Sequence, residues 1–410
     1  MKKTNLLVFQ SAYSYSRIKE LKLESYLHSK DPGHYFSQVI TVNPVASLQD
    51  SNLLSKEKNF SLHKSDSRHI VIEGSHRLRI LNNRLPKMSF LLAQVAFLCR
   101  LFFSKNVRSI KCVYADDPEY NGLLGIVFSR ILGVPLVVGV WGNPQRIREN
   151  TNRPLMPRLF RSAEQEAKFE KHILLRADAI QVQNSENGTY PLSLGINPSK
   201  VSLLPLSVGI ATCHFVDPKE RMRSLNGKLN ETPVFKIVCV SRLEKIKHVD
   251  HAIASVRLLK EQGIPFELHL VGDGSELNNL QELVKQEEIV GSVVFHGNKS
   301  QEWLAEFLPT MDMAVAPLTG RALLEIGLSG IPVSAYNVDW HSDIIRNGES
   351  GFLVDYLNVE DIAKSILEMY LVGEATRKNF GLNVRAIAMS LSDAEILTAN
   401  QNRFFEELCG

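Results

Sequence analysis

The sequence predicts an α/β protein made of two Rossmann-like lobes, each built on a parallel sheet, and three observations lead to that fold class. The chain has 410 residues, which exceeds one ordinary core and fits two domains of about 150–200 residues each. Short apolar runs rich in β-branched residues alternate with stretches of helical periodicity, as in parallel βαβ units. A polar segment, Asn226–Pro233, separates two such series and has the composition of an interdomain linker.

The first series predicts strands at Leu6–Phe9, Val39–Val42, His69–Ile72, Ile110–Tyr114, Leu136–Val140, Ala179–Gln183 and Val201–Leu204. Helical periodicity lies between them, near residues 88–104, 120–132, 155–176 and 186–193. The stretch from Val45 to Ser67 is polar and poorly periodic, so we expect a long loop there.

The second series predicts strands at Phe235–Val240, Glu267–Val271, Val293–His296, Met313–Ala316, Val333–Ala335 and Gly351–Val354. Helices are expected near residues 249–262, 275–288, 300–309, 321–329 and 359–371. The last stretch, about 384–408, is also helical in pattern. We therefore expect an N-terminal domain of residues 1–225, a C-terminal domain of residues 226–383 and a terminal helix within residues 384–410.

Composition excludes several classes of protein. The hydrophobic fraction of 44% and the charged fraction of 22% are those of a folded chain rather than a disordered one. The net charge of +3 does not favour a nucleic-acid partner, which needs a clustered basic face. The five cysteines are scattered without a C-x-x-C pair, so we expect no metal site, no disulfide framework and a cytoplasmic location.

The segment from Arg77 to Arg108 is basic and contains no acidic residue. Its apolar run, residues 90–103, is shorter than the roughly 20 residues that a membrane-spanning helix needs. Two interpretations stay open. The segment is either a packed helix with a solvated basic rim or a surface for an anionic membrane, which would make the protein peripheral on the inner face of the cell membrane.

Motifs that bind phosphate follow the predicted strands of the second series. Arg242 and Lys247 follow the first of these strands, where an open α/β sheet binds its ligands. There they can hold a diphosphate and stabilise its charge as it leaves. Gly272 and Gly274 follow the next strand, and glycine there permits close approach of the backbone to a phosphate.

The order of these motifs resembles the donor lobe of the family 4 glycosyltransferases, which are retaining enzymes of the GT-B fold. The resemblance is carried by Arg242 and Lys247 at the family's spacing, by the Gly-x-Gly turn and by the stretch Met311–Val333. It implies two lobes facing a cleft, with the terminal helix crossing back to the first lobe. It also implies that a sugar from a UDP- or GDP-sugar moves to a saccharide or lipid-linked acceptor in bacterial surface-polysaccharide assembly, without cofactor or metal.

The resemblance assigns roles to single residues. Arg242 and Lys247 would be catalytic, and Glu325 would accept hydrogen bonds from the ribose hydroxyls of the nucleotide. The other implied donor-binding residues are Gly272, Gly274, His296, Gly297, Gly320, Arg321 and Leu324. The family's first sugar-binding glutamate is missing, because Pro317 stands eight positions before Glu325. We therefore expect a shortened loop and an altered pocket for the donor sugar.

The acceptor side resembles the family less. Asp116, Asp117, Trp141 and Asn143 follow predicted strand ends and are candidates for facing the cleft. For the two aspartates, an N-cap and a turn before Pro118 are the competing interpretation. Two other functions stay open for the whole chain: a nucleotide-sugar epimerase of the same fold, and a catalytically weak subunit that binds nucleotide sugars.

Overall fold

The computed structural model describes residues 4–20, 24–50, 59–78, 86–107, 109–145, 148, 154, 156, 160–204, 210–218 and 234–410. The predicted linker, 226–233, lies outside these residues, as do Arg79, Arg84 and Arg108 of the basic segment. The chain forms two compact units, one of residues 1–208 with 394–410 and the other of residues 209–393.

The first unit is built on a sheet that has eight strands within the described part of the chain. They are β1 (Asn5–Phe9), β2 (Gln38–Asn43), β3 (Phe60–Lys64), β4 (His69–Gly74), β5 (Ile110–Ala115), β6 (Leu136–Val140), β7 (Ala179–Val182) and β8 (Val201–Leu203). Their order is β3-β4-β2-β1-β5-β6-β7-β8, with every neighbouring pair parallel except β3 and β4. The predicted parallel sheet is confirmed, and its central strands are fully buried.

The helices of this unit connect the parallel strands. They are α1 (Tyr15–Glu20), α2 (Glu24–His28), α3 (Pro86–Phe102), α4 (Tyr120–Leu132), α5 (Ala163–Arg176) and α6 (Ser185–Ser193). Helix α5 begins later than the predicted residue 155. Ser162 is its N-cap and accepts a hydrogen bond from the backbone N–H of Gln165, which fixes the first turn.

The long loop predicted between Val45 and Ser67 is wrong in its second half, because β3 pairs there in antiparallel register with β4. This strand lies at the edge of the sheet and is only partly buried. An edge strand of this kind lacks the continuous apolar run that marks the central parallel strands.

The second unit has a six-stranded, all-parallel sheet among the residues described, in the order β11-β10-β9-β12-β13-β14. Its strands are β9 (Phe235–Val240), β10 (Phe266–Val271), β11 (Val293–Gly297), β12 (Met313–Val315), β13 (Val333–Tyr336) and β14 (Gly351–Val354). Its helices are α7 (Val249–Ser255), α8 (Arg257–Glu261), α9 (Leu277–Gln286), α10 (Gln301–Phe307), α11 (Ala322–Leu328), α12 (His341–Ile344), α13 (Val359–Leu371) and α14 (Gly373–Ser392).

The unit boundaries differ from the predicted ones at 225/226 and 383/384. Ile210 and Phe215 already pack against the core of the second unit, and His214 Nε2 lies 2.8 Å from Gln301 Oε1. The single predicted terminal helix is two helices, because α14 ends at Ser392 and the next residue, Asp393, has extended backbone angles. Helix α15 (Ala394–Cys409) belongs to the first unit, where Phe405 is fully buried.

Candidate functional site

A cavity of about 540 Å³ lies at the carboxyl edge of the sheet in the second unit. It is lined by turns that follow β9, β10, β11 and β12 and by the first turn of α11. The lining residues are Val240, Ser241, Arg242, Lys247, Val271, Gly272, Asn298, Lys299, Gln301, Leu304, Thr319, Gly320, Arg321, Ala322 and Glu325. This is the edge at which parallel α/β sheets bind ligands.

Two glycines allow the turns after β9 and β10 to approach each other. Gly272 has φ 141°, and a Cβ there would collide with the carbonyl oxygen of Ser241. A Cβ on Gly274 would collide in the same way with the carbonyl oxygen of Leu243. Glycine at both positions is therefore required by packing. Gly272 also faces the cavity, whereas Gly274 is not among the lining residues.

Arg242 and Lys247 enter the cavity from the turn after β9. A 3₁₀ turn, Lys245–Lys247, is closed by His248 in the left-handed conformation, with φ 53° and ψ 40°. Burial lowers the pKa of Lys247, the charge of Arg242 lowers it further and Asp339 opposes the shift. Since the two cations repel each other at this edge, an anion bound between them would be stabilised.

Glu325 contributes a buried carboxylate from helix α11. The residue is 2% exposed, and its Oε1 atom has no hydrogen-bond partner among the described residues. Arg321 forms an ion pair with the same atom, its Nε lying 3.4 Å from Oε1. Thr319 is 3% exposed, and its hydroxyl likewise has no partner within the part of the chain that the structure describes. Buried polar atoms nearly always have a hydrogen bond, so two without one beside a cavity indicate a ligand site.

The short loop before α11 is held by a residue that the sequence analysis missed. His341, fully buried at the start of α12, has Nδ1 at 2.8 Å from the carbonyl oxygen of Tyr336 and Nε2 at 3.1 Å from that of Thr319. Burial lowers the pKa of His341, against the effect of the two carbonyl groups. The loop is thus tied through Thr319 to the end of β13.

Six of the predicted donor-side residues line the cavity: Arg242, Lys247, Gly272, Gly320, Arg321 and Glu325. The other four predicted residues do not line it: His296, Gly297, Gly274 and Leu324. The Nε2 atom of His296 lies 3.0 Å from His269 Nδ1 and its ring packs on Trp303, and its predicted role in donor binding stays a prediction. Leu324 lies in the apolar core.

The turn after β11 still reaches the cavity, through three residues that were not predicted as ligand contacts: Asn298, Lys299 and Gln301. Their position just beyond the predicted strand end was the available signal. Four cationic side chains line the cavity, namely Arg242, Lys247, Lys299 and Arg321, and Glu325 is the acidic residue among the lining set.

Asp116, predicted for the acceptor side, has its carboxylate occupied within the first unit. The Tyr26 hydroxyl donates to it at 2.7 Å and the Trp141 indole N–H at 2.9 Å. Lys30 pairs with the same carboxylate, and its ammonium lies 4.0 Å from the Trp141 ring centroid. These contacts give Asp116 and Trp141 a structural role in this unit, and their role towards an acceptor stays a prediction.

Asp117 caps a turn, as the competing interpretation expected. Its Oδ1 accepts hydrogen bonds from the backbone N–H of Glu119 at 3.0 Å and of Asn121 at 3.2 Å. Asn143 donates to Glu186 Oε1 at 3.3 Å. Its predicted contact with an acceptor also stays a prediction.

Two groups of side chains among the described residues have the composition of metal ligands. They are His28 with Asp66 and His69, and His248 with Asp250 and His251. Neither group contributes a lining residue to the cavity.

Comparison with known proteins bears on the family of the second unit. Residues 223–386, less than half of the chain, match the model of the family "Glycosyl transferases group 1". This match supports a glycosyltransferase similar to family 4. The family 4 resemblance predicted from the motifs of the second unit is thereby confirmed, and the whole cavity lies within the matched residues.

The curated relatives match this chain only in part. An exopolysaccharide phosphotransferase of Streptomyces coelicolor is 30% identical over 179 residues, which are 42% of this chain and 18% of the relative. A GDP-mannose-dependent phosphatidylinositol monomannoside mannosyltransferase of Mycobacterium tuberculosis is 25% identical over 211 residues, 48% of this chain and 52% of the relative. The chain therefore spans between about a fifth and a half of the length of these curated relatives.

The fold matches over the full length. The crystal structure of HepE from Anabaena in complex with UDP superimposes with a TM-score of 0.64 over 99% of this chain and 100% of that chain, at 17% identity. At this identity the likeness shows the fold alone. Together with the two sheets it confirms the predicted GT-B fold of two Rossmann-like units.

Proposed function

We propose that this chain is a retaining glycosyltransferase that moves a sugar from a nucleoside diphosphate sugar to a saccharide or lipid-linked acceptor in surface-polysaccharide assembly. The observation that carries the proposal is the buried carboxylate of Glu325, whose Oε1 atom accepts no hydrogen bond among the described residues and lies at a cation-lined cavity. A ribose diol supplies two hydroxyl donors, which is what such an oxygen lacks. The relatives named for UDP and GDP-mannose support a nucleotide sugar as the donor.

In this proposal the diphosphate lies between Arg242 and Lys247. Negative charge grows on the diphosphate as its bond to the sugar breaks, and two fixed cations stabilise that charge in the transition state. The departing phosphate takes the proton of the acceptor hydroxyl on the same face of the sugar, which retains the configuration. Since side chains supply the positive charge, we propose that transfer needs no metal.

The first unit adds a second proposal, that its helix α3 rests on an anionic membrane. One stripe of α3 is buried through Ala93, Phe97 and Leu101, whereas the opposite stripe exposes Leu91 by 57% and Val95 by 50%. Other exposed apolar residues of this unit include Met88, Leu92, Phe102 and Phe103 and, on helix α4, Leu123, Val127 and Ile131.

The basic residues Lys87 and Arg100 of α3 and Lys105, which follows the helix, are also exposed. An apolar face with a basic rim fits the interface of a bilayer that contains anionic lipids. None of the described helices is long and apolar enough to cross a membrane.

The donor site is tested by calorimetry with UDP, GDP and their sugars, with and without EDTA, followed by a transfer assay in which the anomer of the product is read by NMR. We expect one nucleotide to bind with and without EDTA. Glu325→Ala should weaken its binding by about 10–100-fold, because the substitution removes a charged hydrogen-bonding group. Glu302→Ala, on the exposed face of α10, is the matched control and should bind normally.

The same assay separates the alternative functions. Conversion of the donor to an isomer without any acceptor would favour the epimerase. Binding without turnover on any saccharide or lipid-linked acceptor would favour the binding subunit. Binding lost in EDTA would contradict the metal-independent mechanism.

The membrane proposal is tested by flotation of the protein with vesicles of phosphatidylcholine alone or mixed with phosphatidylglycerol. We expect binding to the anionic vesicles only. The double variant Leu91→Glu with Val95→Glu should bind more weakly by about ten-fold or more, because it places two carboxylates on the apolar face that would enter the membrane interface. Equal binding of the double variant would contradict this surface.

A further inference from the structure

His341 fixes the loop that precedes α11, and this contact determines the direction of the Gly320 N–H. His341 Nε2 lies 3.1 Å from the carbonyl oxygen of Thr319. The peptide bonds of the described residues are all trans, so the C=O of Thr319 and the N–H of Gly320 point in opposite directions. With the carbonyl held by His341, the N–H points away from that ring. Gly320 itself lines the cavity, where a phosphate would accept this hydrogen bond.

Both contacts of the His341 ring require a hydrogen-bond donor on the ring. Both partners are carbonyl oxygens, of Tyr336 and of Thr319, and each accepts but cannot donate. A neutral imidazole has one N–H, so it can donate to only one of these oxygens. The lone pair of its other nitrogen then faces the second oxygen. An imidazolium donates to both. The doubly bonded arrangement is therefore that of the protonated ring.

The surroundings favour the neutral ring until an anion binds. Burial lowers the pKa of His341, and Lys247 adds to this effect. The charged groups that face the ring are Asp339, on its own turn, and Lys247, on the turn after β9. A diphosphate bound to Lys247 would cancel the repulsion from that ammonium group, which removes one cause of the lowered pKa.

We propose that His341 is a positioning residue whose protonation is coupled to donor binding: the protonated ring fixes the short loop and directs the Gly320 N–H at a donor phosphate. The inference rests on the proposed nucleotide site. By linkage, the bound donor raises the proton affinity of His341, and protonation raises the affinity for the donor by the same factor. Donor binding thus strengthens as the pH falls from the neutral range through the pKa of the ring.

The test uses the whole chain and UDP-glucose or GDP-mannose, whose diphosphate diesters do not titrate in the neutral range. Calorimetry at about pH 7 in buffers of different ionisation enthalpy should reveal proton uptake on binding, and the affinity should be about ten-fold higher at pH 6 than at pH 8. His341→Asn should bind more weakly and lose both effects, whereas His251→Asn, a histidine that contacts the Tyr336 hydroxyl instead, should keep them.

The possible results separate the two claims. If neither nucleotide sugar nor free UDP or GDP binds the wild type at any pH, the proposed nucleotide site fails and this inference fails with it. If a nucleotide sugar binds without proton uptake, or with the same pH profile in His341→Asn, the site stands and the coupling is wrong. Should His341→Asn not fold, the buffer series on the wild type alone decides.

Discussion

Two carboxylates, one in each unit, follow the same kind of strand edge and have opposite surroundings. Asp116, after β5, is surrounded by donors from Lys30, Tyr26 and Trp141. Glu325, after β12, keeps an oxygen without a hydrogen bond although it is 2% exposed. The position of a carboxylate at a strand edge does not by itself mark a ligand contact. The difference between satisfied and unsatisfied buried oxygens distinguishes the structural group from the ligand-binding one.

The largest effect is expected from breaking the satisfied group. Lys30 is 4% exposed, and Asp116→Ala leaves its ammonium group without the carboxylate that it pairs with. Loss of one partner of a buried ion pair costs about 3–5 kcal/mol, so the first unit should lose that much stability. Urea unfolding followed by circular dichroism measures the loss. A change below about 1 kcal/mol would show that the cluster is not the structural element described here.

The next effect concerns the cations of the second unit. Arg242→Ala and Lys247→Ala should each reduce kcat by about 10²–10³-fold, because each removes a fixed charge from the leaving diphosphate. The double variant should lose less than the product of the two, since both act on one group. Initial rates of sugar transfer measure this. Wild-type rates in both single variants would refute the site.

A smaller effect on stability should follow from Glu325→Gln. The variant should bind nucleotide about ten-fold more weakly, because the amide accepts at one oxygen only. Its thermal midpoint should change little, because Glu325 Oε1 has no hydrogen bond among the described residues to lose and its ion pair is with an exposed arginine, Arg321. Thermal denaturation without ligand is the measurement. A fall comparable to that of Asp116→Ala would mean that Glu325 is a structural residue too.

The sequence predicted the two sheets because their central strands are continuous apolar runs between helices. It could not predict β3, whose half-buried residues give no such run. At the site, motif spacing predicted Arg242, Lys247 and Glu325 because each lies at the end of a strand or the start of the next helix.

His341 escaped the sequence analysis for a physical reason. Its partner Thr319 is 22 residues away in the chain, and their contact forms only when β12 and β13 lie side by side. The sequence likewise did not reveal the contact between His296 and His269, which lies on the neighbouring strand β10. Spacing along one segment predicts which strand edge a residue follows, but not which way its side chain turns.

The most direct test of the central claim is a crystal structure of the protein with the nucleoside diphosphate that binds most tightly. We predict that the diphosphate contacts Arg242 and Lys247 and that the ribose hydroxyls donate to Glu325. A nucleotide bound elsewhere, with the oxygen of Glu325 taken by a partner from the protein itself, would contradict the account.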